Sequence, residues 1–338
     1  MQQKFSNILI SRTDSIGDVV LTLPLAGKLK EVFPGVKIGF LGKKYTAPVI
    51  NACEFVDEFI EVEDFLKNNP TICGEQVQCI LHVYPEKKIA ARAKYLHIPI
   101  RVGTRNRFYH WFTCNKLFSL SRKKSFRHEA LLNLEFLKVF DVVPPTSTDQ
   151  LYNYFGLNKL ETLSPEFSNL ISASKFNIII HPKSQGSARE WPLNYFSKLI
   201  RLLDKEKFKI FISGTTVEGK FMHSFLIKHK NDVTDITGKL SLVQFISFIH
   251  QCDGLVANST GPLHLAAVLG KYAFGIYPSI WPMNPVRWAP VGPRARAFVM
   301  DKNCDDCLKK PAKCHCILEL TPQMIADALS EAAINNKK

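Results

Sequence analysis

The residues best suited to chemistry lie in three short polar stretches. The first is Ser15-Ile16-Gly17-Asp18-Val19-Val20-Leu21-Thr22-Leu23-Pro24, in which one carboxylate, Asp18, stands at the mouth of an apolar run. An acid there can cap a helix, its commonest duty at such a position. It can also take a proton from an incoming alcohol, as a general base does. The second stretch runs from His181 through Lys183, Ser184, Gly186 and Arg189 to Trp191-Pro192. The third is Asn258-Ser259-Thr260-Gly261-Pro262-Leu263-His264. Its Thr260 and Gly261 fall where a helix should begin, and Pro262 suits a first helical turn. Free backbone N–H groups at such an end favour an anion. With Lys183 and Arg189 they make a phosphate cradle that needs no metal. His264 fits either a ligand role or packing in the core.

Several other chemistries are disfavoured by what the sequence lacks. Only Gly17 follows the first strand, where a dinucleotide fingerprint needs three glycines. Gly214 to Lys220 approaches a P-loop, but Phe221 occupies the position of the magnesium-binding hydroxyl and Glu218 would repel phosphate. No Asp-x-Asp follows an apolar strand, so a metal-chelated diphosphate is not signalled.

The elements that must position these stretches alternate. Strands are expected at 7–11, 37–41, 56–62, 79–83 and 101–103, and helices at 18–32, 46–51, 89–96 and 129–140. A polar connector covers 146–174, with one irregular strand near Tyr152. A second alternation follows, with strands at 177–180, 208–213, 233–235, 254–257 and 272–276. Its helices lie at 193–203, 218–228, 242–251 and 263–269, and a last helix at 322–333. Such alternation predicts parallel sheets covered by helices. We therefore expect an α/β chain of two doubly wound, Rossmann-like domains, 1–165 and 175–320, followed by a helix and tail at 321–338. Ligands are expected at the carboxyl ends of the strands, in a cleft between the domains.

The net charge of +14 is concentrated. From Lys87 to His128 there are twelve Lys or Arg and no Asp or Glu. A local field of that kind draws anions: phosphate, acidic sugar, nucleic acid or acidic lipid. Arg105, Arg107, Arg122, Lys123, Lys124 and Arg127 interleave with Phe108, Tyr109, Trp111, Phe112 and Phe118. Cations with interfacial aromatics suit an acidic lipid surface. No nucleic-acid module signature accompanies them, so nucleic acid is not expected as a partner. There is no signal-peptide pattern and no apolar run of membrane-spanning length, which leads to a cytoplasmic expectation. The nine cysteines fit a reducing compartment. Cys304, Cys307, Cys314 and Cys316 are spaced so that they could hold a structural zinc.

Taken together, "SIGDVVLTLP", "HPKSQGSAREWP", "SGTTVEG" and "NSTGPLHLAAVLG" resemble the ADP-heptose:lipopolysaccharide heptosyltransferases of glycosyltransferase family nine. The resemblance covers nearly the whole chain and implies a GT-B fold. It implies inverting, cofactor-free and metal-independent transfer of heptose from ADP-heptose, or a related nucleotide sugar, to a lipid-linked core oligosaccharide. It makes Asp18 the base, Arg189 a diphosphate contact and Glu218 a ribose contact, although Glu218 could equally be a helix cap. Thr260, Gly261 and His264 match the loop that receives phosphate and heptose, and Ser259 stands where well-known members carry Asp. With Lys183 and Ser184 these are the expected donor-site residues. The six basic residues become the expected acceptor contacts, at the inner-membrane surface of a Gram-negative bacterium. Two other readings fit the same loops: a non-catalytic nucleotide- or polyanion-binding protein, and a sugar-nucleotide epimerase.

Overall fold

The computed structural model of the chain describes residues 5–300, 304, 309 and 314–336. It divides into two units, Met1–Lys159 and Leu160–Lys338.

In the first unit β1 (Asn7–Ser11) is buried along its whole length, as expected of a parallel strand covered on both faces. Around it lie β2 (Lys37–Gly42), β3 (Glu58–Glu61), β6 (Cys79–His82), β7 (Ile100–Thr104) and β8 (Lys116–Phe118), in the order β3-β2-β1-β6-β7-β8. Every pairing in that sheet is parallel. A small antiparallel pair, β4 (Thr71–Ile72) and β5 (Glu75–Gln76), forms a separate sheet whose Ile72 packs in the same core as Leu9, Leu41 and Ile80. The second unit repeats the plan. Its strands are β9 (Phe176–His181), β10 (Phe208–Ile212), β11 (Thr234–Asp235), β12 (Gly254–Asn258), β13 (Tyr272–Ile276) and β14 (Ala295–Phe298). Their order is β11-β10-β9-β12-β13-β14. Both sheets reverse direction beside the first strand, at β1/β6 and at β9/β12. A crevice opens at the carboxyl ends of such neighbours because their connections leave toward opposite faces.

Three helices depart from the sequence expectation. The apolar run 18–32 forms two helices, Ile16–Val20 and Leu23–Val32. Pro24 lacks a backbone N–H, and the Thr22 hydroxyl donates to the Asp18 carbonyl at 2.8 Å, so the ladder is interrupted between them. The run 129–140 is α-helical only over Glu129–Leu134 and continues as a 3₁₀-helix, Glu135–Phe140. The run 218–228 divides into Thr216–Phe221 and His223–Lys228. Around Tyr152 there is a 3₁₀ turn, Tyr152–Tyr154, in place of a strand. Val62 opens a helix, Val62–Lys67, instead of ending a strand. Short β8 and β14 had no periodicity long enough to mark them.

The C-terminal helix, Pro322–Asn335, belongs to the second unit. Its Ile325 and Leu329 share a core with Trp191, Phe196, Leu199 and Ile200. The indole of Trp191 donates to the Leu320 carbonyl at 3.0 Å, which ties the second polar loop to the entry of that helix.

Candidate active site

β1 delivers the chain to the switch point of the first sheet, and the next turn begins the helix Ile16–Val20, with Ser15 as its N-cap. Asp18 lies inside that first turn. Its two carboxylate oxygens take the Arg12 guanidinium and, at 2.6 Å, the Ser15 hydroxyl. The side chain keeps 16% of its surface open to solvent. It is therefore held by side chains and still reachable, which a purely capping acid need not be.

Arg12 organises this corner. It is buried and faces three carboxylates: Asp14 at 2.7 Å, Asp18, and Glu129 at 3.1 Å. It also donates to the Asn133 amide oxygen at 3.1 Å. Asn133 in turn donates to the Leu21 carbonyl and the Thr22 hydroxyl, at the break between the two helices. Arg122 reaches the same pair, Glu129 at 2.9 Å and Asn133 at 2.8 Å. Burial works against the Arg12 charge, but Asp18, Asp14 and Glu129 together push its pKa further up.

Asp14 sits at the edge of this cluster. Burial, with the charge of Asp18 added, pushes its carboxyl up from 3.8 to about 6, against the pull of Arg12. A carboxyl raised in the folded state binds its proton more tightly there than in the unfolded chain. Stability from this group is thus present at low pH and lost as pH rises from 3.8 to about 6. Asp14→Asn removes the titration. The stability difference between variant and wild type should shift in the variant's favour across that window and stay level above it. Urea midpoints measured at a series of pH values check this, and a constant difference would refute it.

At the same switch point Ser11 pairs in register with His82 on β6. Both ring nitrogens of His82 and the Ser11 hydroxyl are buried without a hydrogen-bond partner among the described residues. Burial, with His110 and Arg101 adding to it, pushes the imidazole down to about 3. His82 is therefore neutral at physiological pH.

In the second unit three loops meet at the carboxyl ends of adjacent strands β10, β9 and β12. The loop after β9 folds on itself. Lys183 is ion-paired with Glu190, and Ser184 donates to Glu190 from its N–H at 2.8 Å and its hydroxyl at 3.0 Å. Gln185 and Gly186 turn the chain at positive φ, +50° and +81°, where Gly carries no steric penalty. Gln185 then donates to Thr215 Oγ1 at 3.1 Å, joining this loop to the one after β10. Asn258, at the end of β12, accepts from the Trp191 N–H and donates to the Pro182 carbonyl, both at 2.8 Å. It clips the second and third loops together.

Glu218 is buried and completes a capping box. It accepts from the Thr215 N–H at 2.7 Å, while its own N–H donates to Thr215 Oγ1 at 3.2 Å. The helix Gly261–Val268 starts after Thr260, as expected from Pro262. Thr260 Oγ1 is buried with no hydrogen-bond partner among the described residues. His264 is buried in the first turn, and Ser259, which precedes the helix, is half-buried. Arg189 is half-buried, three residues before Pro192.

The basic segment separates into two sets. Arg122 and Arg127 are turned onto acids, Arg122 onto Glu129 and Arg127 onto Glu135 at 2.6 Å. Arg105, Arg107, Lys123 and Lys124 are exposed. So are Phe108 at 79%, Trp111 at 55% and Phe112 at 61%. No helix among the described residues is long and apolar enough to cross a membrane. Cys304, Cys314 and Cys316 converge, and Cys307 lies outside the described residues.

The sequence reading missed Arg12, Asn133, Glu129, Glu190 and Asn258. Arg12 could have been suspected from a cation six residues before Asp18. Glu129 and Asn133 carry no such signal, because they lie more than a hundred residues away.

Two doubly wound units, each with polar loops at the carboxyl ends of its central strands, are the architecture of the GT-B class. The chain matches the sequence model of glycosyltransferase family 9 (heptosyltransferase) over residues 72–318, and it belongs to that family. The matched span begins beyond Asp18, so that residue's role rests on its own surroundings. Lipopolysaccharide heptosyltransferase 1 of Campylobacter coli is 26% identical over 313 residues, covering 80% of this chain and 83% of that one. The structure of E. coli ADP-heptose LPS heptosyltransferase II superposes with a TM-score of 0.75 at 18% identity, over 98% of this chain and 100% of that one. E. coli heptosyltransferase WaaC with ADP gives 0.70 at 17% identity, over 96% and 99%. Both structures share the fold.

Proposed function

We propose that the protein is an inverting heptosyltransferase. In this reading it moves heptose from ADP-heptose to the inner core of lipopolysaccharide or lipooligosaccharide, with Asp18 as general base. The observation that carries the proposal is the state of Asp18: anchored by Arg12 and Ser15 at the first switch point, yet open to solvent. The named relatives support heptose as the cargo, and WaaC with ADP supports a nucleotide donor.

The chemistry follows from the charges. As the anomeric carbon becomes cationic, the attacking hydroxyl turns acidic and its proton passes to the Asp18 carboxylate. The diphosphate departs with growing negative charge. Arg189 and the N–H groups at the start of Gly261–Val268 would receive it, placed before reaction begins. Lys183 joins them only on leaving Glu190, so donor binding would have to exchange one carboxylate for phosphate oxygens. Glu218 can still serve the ribose through an oxygen that the capping box does not use. The absence of an Asp-x-Asp motif argues that the transfer step needs no metal.

The direct test supplies purified protein with ADP-heptose and a lipid-linked acidic acceptor, then follows ADP release and the product's anomeric configuration. Release that depends on acceptor, inverted product, and no gain from added magnesium or manganese are expected. Donor consumed without acceptor would instead indicate an epimerase, and no consumption a binding protein.

The exposed basic and aromatic surface suits an acidic acceptor at the inner membrane, from the cytoplasmic side. Each cation near an anionic surface is worth about 1 kcal/mol. Replacing Lys123 and Lys124 together by Ala should weaken binding to phosphatidylglycerol vesicles roughly 30-fold. Turnover on a soluble acceptor analogue should be little changed. Vesicle co-sedimentation checks this, and equal binding by variant and wild type would remove the surface from the reading.

A further inference from the structure

We propose that Cys304, Cys314 and Cys316 form a thiolate site for a thiophilic divalent cation, zinc before others, apart from the transfer chemistry. The three sulfur atoms lie within 4.8 Å of one another. Cys304 Sγ is 3.5 Å from Cys314 Sγ, which is 3.2 Å from Cys316 Sγ. These separations far exceed a disulfide bond of about 2.05 Å. They approach the spacing of about 3.8 Å that a tetrahedral ion with metal–sulfur bonds of about 2.3 Å imposes on its ligands.

Two backbone donors also face these sulfur atoms. The backbone N–H of Cys316 is directed at Cys314 Sγ, and that of Ser279 at Cys316 Sγ, each at 3.5 Å. Such donors lower the cost of a buried thiolate. Cys314 and Cys316 are buried and Cys304 is partly exposed, so an ion has a route in from solvent. The remaining buried thiols, Cys53, Cys79, Cys114 and Cys252, join no such group among the described residues. An all-sulfur donor set selects zinc or iron(II) over magnesium or calcium. On binding, each of the three thiols gives up a proton to solvent, and three metal–sulfur bonds form with no change of oxidation state.

The place in the fold suggests the use. Ser279 and Ile280 follow β13, at the carboxyl end of the second sheet, and Ile280 packs on the cysteines. The Ser279 hydroxyl also donates to the Met300 carbonyl at 2.7 Å. A metal here would fix the three cysteines relative to one another, and with them the surface on which Ser279 and Ile280 of the loop after β13 rest. That loop lies next to the one carrying Thr260 and His264. The site thus braces the carboxyl end of the second sheet, where the proposed function places the nucleotide.

The test uses the full chain, purified under reducing conditions without chelator. Elemental analysis should find close to one zinc or iron per chain. Reconstitution with cobalt(II) should give the near-ultraviolet thiolate-to-cobalt band. Cys304→Ser, at the most accessible ligand, should cut metal content at least tenfold with an unchanged far-ultraviolet spectrum. Cys314→Ser should do the same, and Cys73→Ser, at an exposed cysteine outside the group, should not. Metal-free protein that shows no cobalt band when reconstituted would overturn the proposal. So would a disulfide among these cysteines in reduced-handling mass spectra, or full metal content in both Cys304→Ser and Cys314→Ser.

Discussion

Asp18→Asn is expected to lower the turnover of ADP-heptose by roughly 10²–10⁴-fold, the usual worth of a general base. ADP should bind the variant as it binds the wild type. The amide keeps the size of the carboxylate and can still accept from Arg12 or Ser15 through its oxygen. What it loses is the capacity to take a proton from the acceptor hydroxyl. A capping role makes the opposite forecast, because Asn is as good a helix cap as Asp and turnover would survive. The geometry already leans against capping: Ser15 holds the N-cap position, and the Asp18 oxygens meet side chains. Single-turnover assays with isothermal titration of ADP separate the outcomes. A variant that transfers heptose at the wild-type rate would remove Asp18 as the base.

The second large effect is on stability. Arg12→Leu should destabilise the first domain by about 3–5 kcal/mol, the cost of leaving a buried charge without its partner. The Glu129 side chain is only 1% exposed and would lose one of the two guanidinium groups that face it. Asn133 would lose one donor, and Asp14 and Asp18 would repel each other without a cation between them. Arg12→Lys should recover little, because one ammonium cannot span three carboxylates and an amide as the planar guanidinium does. Urea unfolding followed by fluorescence gives the number. A loss under about 1 kcal/mol would mean that the network contributes no more than a surface pair. If Arg12 also aims Asp18, Arg12→Lys should reduce kcat while the KM for the donor stays near its wild-type value.

Much of this was visible along the chain. The two alternations of apolar runs marked most of the central strands, since a buried parallel strand is apolar at nearly every position. Gly17-Asp18 and Thr260-Gly261-Pro262 marked helix starts because turn and first-turn preferences are local. Thr22 and Pro24 together were enough to split a helix, but the apolar pattern across them hid it. Glu218 shows the limit of a local reading. Its position after a strand fitted both a ribose contact and a cap, and the cap is what the backbone takes up.

The sequence by itself therefore determined the architecture, the family and the three loops, because periodicity, caps and turn residues act within a few positions. Tertiary structure alone decided which charges remain available. It committed Arg122 to Glu129, Arg127 to Glu135 and Lys183 to Glu190, and it left Arg105, Arg107, Lys123 and Lys124 to solvent. It also set Arg12 beside Glu129 and Asn133, more than a hundred residues away. Long side chains choose partners by distance in space and by the cost of burying an unpaired charge. Neither quantity exists until the sheets have formed.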